Sequence, residues 1–270
     1  ILARHNFEAF GATNISVHHA KAEQYLNGNN PNSDVYYLDP ARRDDNQKKV
    51  FLIEDCTPNL VELIPSLLDR KKVILIKLAP MLDIQLALRS LSHVAEVHVV
   101  SVKNECKEVL FLIKPAFIGT PKITTINLSK EETCRFEFNL EDENEKPEFS
   151  LPKKYLYEPN ASIMKAGAFN SVAARFNLQK LHANTHLYTS KELVKDFPGR
   201  AFEITSISPL NKKKLNTILP DKKANISVRN FPQSVASIRK KTGLIDGGTN
   251  YLFACTLNDE SLVAIICNKA

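Results

Sequence analysis

The residues best suited to chemistry lie in one run, Val35-Tyr36-Tyr37-Leu38-Asp39-Pro40-Ala41-Arg42-Arg43. Four residues with strand preference lead into Asp39, and a strand ending in a carboxylate presents that group at its C-terminal edge. In open α/β sheets this edge is where ligands bind. Pro40 has no backbone N–H and biases Asp39 toward extended backbone, so the chain leaves the strand without coiling at once into a helix. Arg42 and Arg43 follow where a strand-end loop would meet an anionic or planar ligand, and a guanidinium can stack on a base or hold a phosphate. The plainer alternatives are an ordinary Asp-Pro turn and a surface pairing of Arg43 with Asp44 or Asp45.

Such a carboxylate needs a sheet around it, and the flanking sequence supplies one. Lys72 to Leu78 is a near-continuous apolar run, as expected of a parallel strand covered on both faces. Met81 to Leu91 has helical periodicity and would carry the crossover. Glu96 to Val102 and Glu108 to Ile113 are separated by so short a connection that they must form an antiparallel hairpin. Upstream, residues 2–10 suit a helix stopped by Gly11, Asn14 to His18 a short strand, and Ala20 to Leu26 a helical turn. Thr57-Pro58 reads as an N-cap with proline at the first helical position of a helix ending near Leu68.

In this setting the stretch resembles the Asp/Asn-Pro-Pro-aromatic motif that closes the fourth strand of class I S-adenosylmethionine-dependent methyltransferases. Tyr-Leu-Asp-Pro-Ala-Arg-Arg further resembles bacterial methyltransferases that carry a C-terminal THUMP-like domain. The resemblance implies an α/β fold: the C-terminal part of a Rossmann-like methyltransferase sheet, then an α+β ferredoxin-like (THUMP-like) domain. It implies S-adenosylmethionine as cofactor. In amino-methylating relatives the motif's acid and the proline carbonyl accept hydrogen bonds from the exocyclic amine, and the aromatic residue stacks on the base. Asp39 and Pro40 match, whereas the second proline is Ala41 and the aromatic is Arg42; Asp39, Pro40 and Arg42 are the candidate catalytic residues. By the same analogy Ala22 and Glu23, after the strand ending near His18, would lie near the cofactor. The eight glycines contain no G-x-G spacing, so the glycine-rich cofactor loop is missing. The chain is therefore expected to be an N-terminally truncated fragment that binds the cofactor poorly.

At 270 residues there is room for two domains, and 43% hydrophobic with 24% charged residues is ordinary for a soluble protein. No apolar run reaches the ~20 residues a membrane helix needs. Five cysteines at unrelated spacings give neither a disulfide framework nor a zinc motif, which suits the cytoplasm. His18-His19, His93 and His98 have no acid or cysteine at ligand spacing, so no metal is expected. The net charge of +6 is uneven: ten basic residues oppose three acids between Arg200 and Asn250.

Gly119 to Pro152 reads as a connector with some strand character at Ile123–Ile126 and Arg135–Phe138, and Glu141 to Glu145 as a solvated acidic turn. Tyr155-Leu156-Tyr157-Glu158-Pro159-Asn160 leads into an alanine-rich helix to about Asn177. An irregular piece follows, then a short helix near Ser190. From Arg200 the order is β-α-β-α-β-β, close to a ferredoxin-like split unit. It resembles the THUMP-like domain through Ile226 to Pro232, Arg239-Lys240-Lys241 and Tyr251 to Ala254. The expected division is a partial methyltransferase domain at 1–118, a connector with a small helical/ferredoxin-like region at 119–198, and a THUMP-like domain at 199–270. Arg43, Lys212, Lys213, Arg229, Arg239, Lys240 and Lys241 are the candidate RNA-binding residues, with Phe231 among them; a merely solvated basic face is the alternative. The whole implies a methyltransferase acting on a base in structured RNA (tRNA or rRNA), or else a non-catalytic RNA-binding module that keeps the fold.

Overall fold

The computed structural model describes residues 2–28, 33–42, 53–130 and 132–270. The chain forms two compact units: residues up to Ala95 with Leu110–Gly119, and Glu96–Val109 with Thr120–Ala270.

In the first unit α1 (Leu2–Ala9) stops at Gly11, whose φ of +67° suits a residue without a Cβ. Asn14 to His18 forms no strand, contrary to expectation; no ladder reaches it, and Val17 O instead accepts from Arg4 Nη2. α2 (Ala22–Gly28) and β1 (Val35–Leu38) follow, then the short antiparallel pair β2 (Ala41–Arg42) and β3 (Cys56–Thr57). Because Thr57 is taken by that ladder, Asn59 rather than Thr57 caps α3 (Leu60–Leu68): its side chain accepts from Val61 N, and its Nδ2 donates to Glu62. α3 buries Leu60, Leu63, Ile64 and Leu67 on one face. β4 (Val73–Leu78) runs parallel to β1, pairing Val35 with Val73 through Leu38 with Ile76. α4 (Ile84–Ser90) begins only at its Asp83 cap, so the expected helix is shorter.

β5 (Val94–Val102) and β6 (Glu105–Ile113) form the expected hairpin, turning through Lys103 and Asn104, both at positive φ as a type I′ turn requires. The segment read as a connector contributes two full strands, β7 (Lys122–Leu128) parallel to β5 and β8 (Thr133–Asn139) antiparallel to β7. The six-stranded sheet has the order β1-β4-β6-β5-β7-β8. The acidic run is not a free turn either. Residues Leu140–Asn144 form a 3-10 turn, and the Glu143 carboxylate accepts from the backbone N–H groups of Phe169, Asn170 and Ser171.

Those three donors open α6 (Phe169–Arg175), whose N-cap residue Ala168 has no side-chain acceptor. The preceding α5 (Ala161–Ala166) ends at Gly167 in the left-handed conformation, so the single alanine-rich helix expected is two. β9 (Tyr155–Pro159), β10 (Gln179–Lys180) and β11 (Tyr188–Ser190) lie beside them. No helix follows Ser190: the Tyr157 hydroxyl donates to Glu192 O and accepts from Val194 N, holding that backbone in a loop. β12 (Gly199–Ser208), α7 (Lys212–Ile218), β13 (Asn225–Arg229), α8 (Val235–Thr242, capped by Ser234), β14 (Tyr251–Thr256) and β15 (Leu262–Lys269) complete the expected β-α-β-α-β-β order.

A single seven-stranded sheet, β10-β11-β9-β12-β15-β14-β13, runs across the 198/199 boundary because β9 pairs with β12. Its central strands are buried on both faces. Leu252, Ala254, Ala264 and Ile266 face Leu215, Leu219 and Ile238 of the α7/α8 region, while Phe253, Cys255, Ile265 and Cys267 pack with Leu156, Leu187 and Phe202. Each large side chain buried this way contributes about 1.5–3 kcal/mol.

Candidate functional site

Extending the β1/β4 register one residue beyond Leu38 and Ile76 puts Asp39 beside Lys77, on the same face of the ladder. The side chains meet: Lys77 Nζ lies 2.5 Å from Asp39 Oδ2, with 33% and 49% of the two side chains exposed. Val35 and Tyr37 share that face and are exposed, whereas the opposite face is sealed by Ile74, Ile76 and Leu78. A pair this exposed adds only about 0–1 kcal/mol to stability. Its effect is on position, since the ammonium holds one carboxylate oxygen.

Pro40 is half-buried and passes the chain to β2. The Arg42 backbone pairs there with Cys56, and Arg43 lies outside the described residues. Lys77 was missed from sequence. The available signal was a lone cation near the end of an otherwise apolar strand, where it would be stranded without an acid.

Ala22 and Glu23 stand in the first turn of α2 rather than at a strand end, because the strand expected before them is not formed. Ala22 is half-buried and Glu23 exposed, where the acid complements the helix N-terminus.

The basic residues of the C-terminal region divide into three environments. Arg229 donates to Glu158 Oε1 at 2.8 Å, and Arg200 Nε donates to Glu158 Oε2 at 2.8 Å. The Glu158 side chain is only 4% exposed, so Arg229 serves a buried ion cluster instead of a free surface. Arg239 pairs with Asp246. Lys212, Lys213, Lys240 and Lys241 are exposed. They do not form one patch, however. The segments following α7 and α8 are tied together by Ala224 N to Ile245 O and Ile245 N to Lys222 O. Lys240 and Lys241 therefore share an end of the helix pair with Lys222 and Lys223, while Lys212 and Lys213 start α7 about 10 Å away at 1.5 Å per residue.

Among the described residues no group of three or more His, Cys, Asp or Glu side chains is placed to hold a metal ion, and no helix is long and apolar enough to cross a membrane.

Residues 155–198 match a ferredoxin-like domain family, and residues 199–269 match a THUMP domain-like family. A crystal structure described as a "putative methyltransferase from Porphyromonas gingivalis W83" is similar over 88% of this chain, at 38% identity and a TM-score of 0.80. The chain spans 60% of that protein's length. No curated protein matches.

Proposed function

We propose that the chain is part of an S-adenosylmethionine-dependent methyltransferase of class I that modifies a base in structured RNA. The observation that carries this reading is Asp39, set at the end of β1 beside the parallel strand β4 and engaged by Lys77. The likeness to the Porphyromonas gingivalis protein and the THUMP-like match support it.

When bound, the cofactor supplies the methyl group. Ala22 and Glu23, in the first turn of α2, are the residues proposed to lie near it. This chain's own contribution is to the acceptor. The Asp39 side chain accepts a hydrogen bond from the exocyclic amine of a base, with the Pro40 carbonyl as a second acceptor. Two acceptors on one amine fix its lone pair in direction, and methyl transfer depends mainly on such in-line placement. Lys77 holds the carboxylate in one rotamer. The exposed lysines at the two ends of α7 and α8 supply sequence-independent attraction to RNA phosphates.

The test uses the intact protein, tritiated S-adenosylmethionine and total tRNA or rRNA. Asp39→Ala should lower incorporation at least 100-fold while the unfolding free energy stays within about 1 kcal/mol, as for any exposed pair. Undiminished turnover sinks the assignment. Lys213→Glu and Lys240→Glu should each weaken RNA binding and flatten its salt dependence by about one ion equivalent; unchanged binding would make those lysines a solvated face.

A further inference from the structure

A cavity lies wholly within the C-terminal unit. It encloses about 640 Å³, inside the range of small-molecule sites, and shares no residue with the Asp39 site. Three asparagines line it: Asn104 in the β5–β6 turn, Asn127 on β7 and Asn160 at the start of α5.

In each asparagine the carboxamide oxygen is committed to backbone donors. Asn104 Oδ1 accepts from Ala161 N at 2.7 Å, Asn127 Oδ1 from Asn104 N at 2.9 Å, and Asn160 Oδ1 from Ser162 N and Ile163 N at 3.1 Å. An amide whose oxygen is so fixed has its NH2 orientation fixed too. Among the described residues Asn104 Nδ2, on an exposed side chain, and Asn127 Nδ2, on a half-buried one, have no protein acceptor, and Asn160 Nδ2 reaches only the Cys134 sulfur at 3.6 Å. Asn160 is 5% exposed. A buried amide with so weak an acceptor is costly unless something else fills the role.

On the lining, exposed Glu132 and Asp196 face exposed Lys195 and Arg135, and Arg135 is itself ion-paired with Glu137. The Pro198-Gly199-Arg200 wall belongs to the Glu158 cluster, in which two guanidiniums share one carboxylate and leave one positive charge over. Phe176 and Phe197 supply an apolar wall.

We propose that this cavity binds a phosphorylated ligand of nucleotide size, its phosphoryl oxygens taken by the three amide NH2 groups and Lys195. The ligand is either a free nucleotide or one phosphodiester unit of a strand. The proposal stands whether or not the methyl-transfer reading does.

The experiment is isothermal titration of the full chain with inorganic phosphate, adenosine 5′-monophosphate and a five-nucleotide RNA. Saturable binding of the monophosphate is expected, with phosphate alone weaker. Binding of the pentamer far tighter than the monophosphate would identify the strand as source, and equal binding the free nucleotide. Asn127→Asp and Asn160→Asp keep the anchored oxygen, and aspartate caps a helix as well as asparagine, yet each replaces a donor by an anion. Both should weaken binding at least tenfold, Asn127→Asp at an unchanged thermal midpoint and Asn160→Asp, whose anion is buried, at a lower one. Bound monophosphate should also slow alkylation of Cys134 severalfold and leave Cys106 unaffected. No saturable binding of any probe, or aspartate variants that bind like the parent, would overturn the proposal.

Discussion

Glu158 offers the sharpest test of how the C-terminal sheet is held. Its side chain is 4% exposed and takes Arg200 on one oxygen and Arg229 on the other. Removing one member of a buried ion pair costs about 3–5 kcal/mol, mostly because a charge is left uncompensated. Here the stranded charges would be two guanidiniums that are 40% and 34% exposed, and water recovers part of their hydration. Glu158→Ala should therefore cost about 2–3 kcal/mol. Glu158→Gln keeps the volume and one acceptor oxygen and should cost about 1–2 kcal/mol. At an m-value of about 3 kcal/mol/M, urea unfolding of Glu158→Ala would shift by up to about 1 M. The difference should persist in 0.5 M NaCl, because a buried pair is screened far less than an exposed one. An alanine variant within about 0.5 kcal/mol of the parent, or a difference erased by salt, would refute the account and return Arg229 to the pool of free surface cations.

Two further outcomes follow from the same region. A Cβ on Gly199 would overlap the Glu158 carbonyl oxygen and come within 2.9 Å of Pro159 Cα. Gly199→Ala should therefore force β9 and β12 apart and cost about 2–3 kcal/mol, seen as a lower thermal midpoint. His186 stacks on Phe169 with ring centroids 3.6 Å apart, and burial, then nearby Lys180, Arg229 and His182, lower its pKa to about 4. The unfolded chain binds that proton first, so stability should fall as pH drops from about 6.5 to 4, by no more than about 2 kcal/mol after solvent screening. His186→Asn, which tolerates the left-handed backbone at this position, should flatten this part of a urea-midpoint profile. An unchanged slope would assign the acid sensitivity elsewhere.

Much was legible in the order of residues alone. Apolar residues mark β4, β5 and β6 because every second position of each strand is buried against the core. Ser234 and Gly11 mark helix ends because capping acts over a few residues. Asp39-Pro40 marks a strand end for the same local reason. The β-α-β-α-β-β order of the last 70 residues likewise follows from periodicity and turn residues.

What tertiary structure decided is whatever depends on partners distant in sequence. The 3-10 turn around Glu143 looked like a solvated acidic turn until three backbone donors from α6, 26–28 positions away, claimed its carboxylate. The residues after Ser190 became a loop because the Tyr157 hydroxyl bonds the backbone of Glu192 and Val194 across 35 residues or more. Charge behaves the same way: composition counts ten cations between Arg200 and Asn250, but only folding determines that Arg229 is paired with the buried Glu158 while Lys213 and Lys240 remain exposed. Local geometry is written in local sequence because capping and strand periodicity are short-ranged. Burial and pairing arise from contacts closed over long loops, and these only the folded chain supplies.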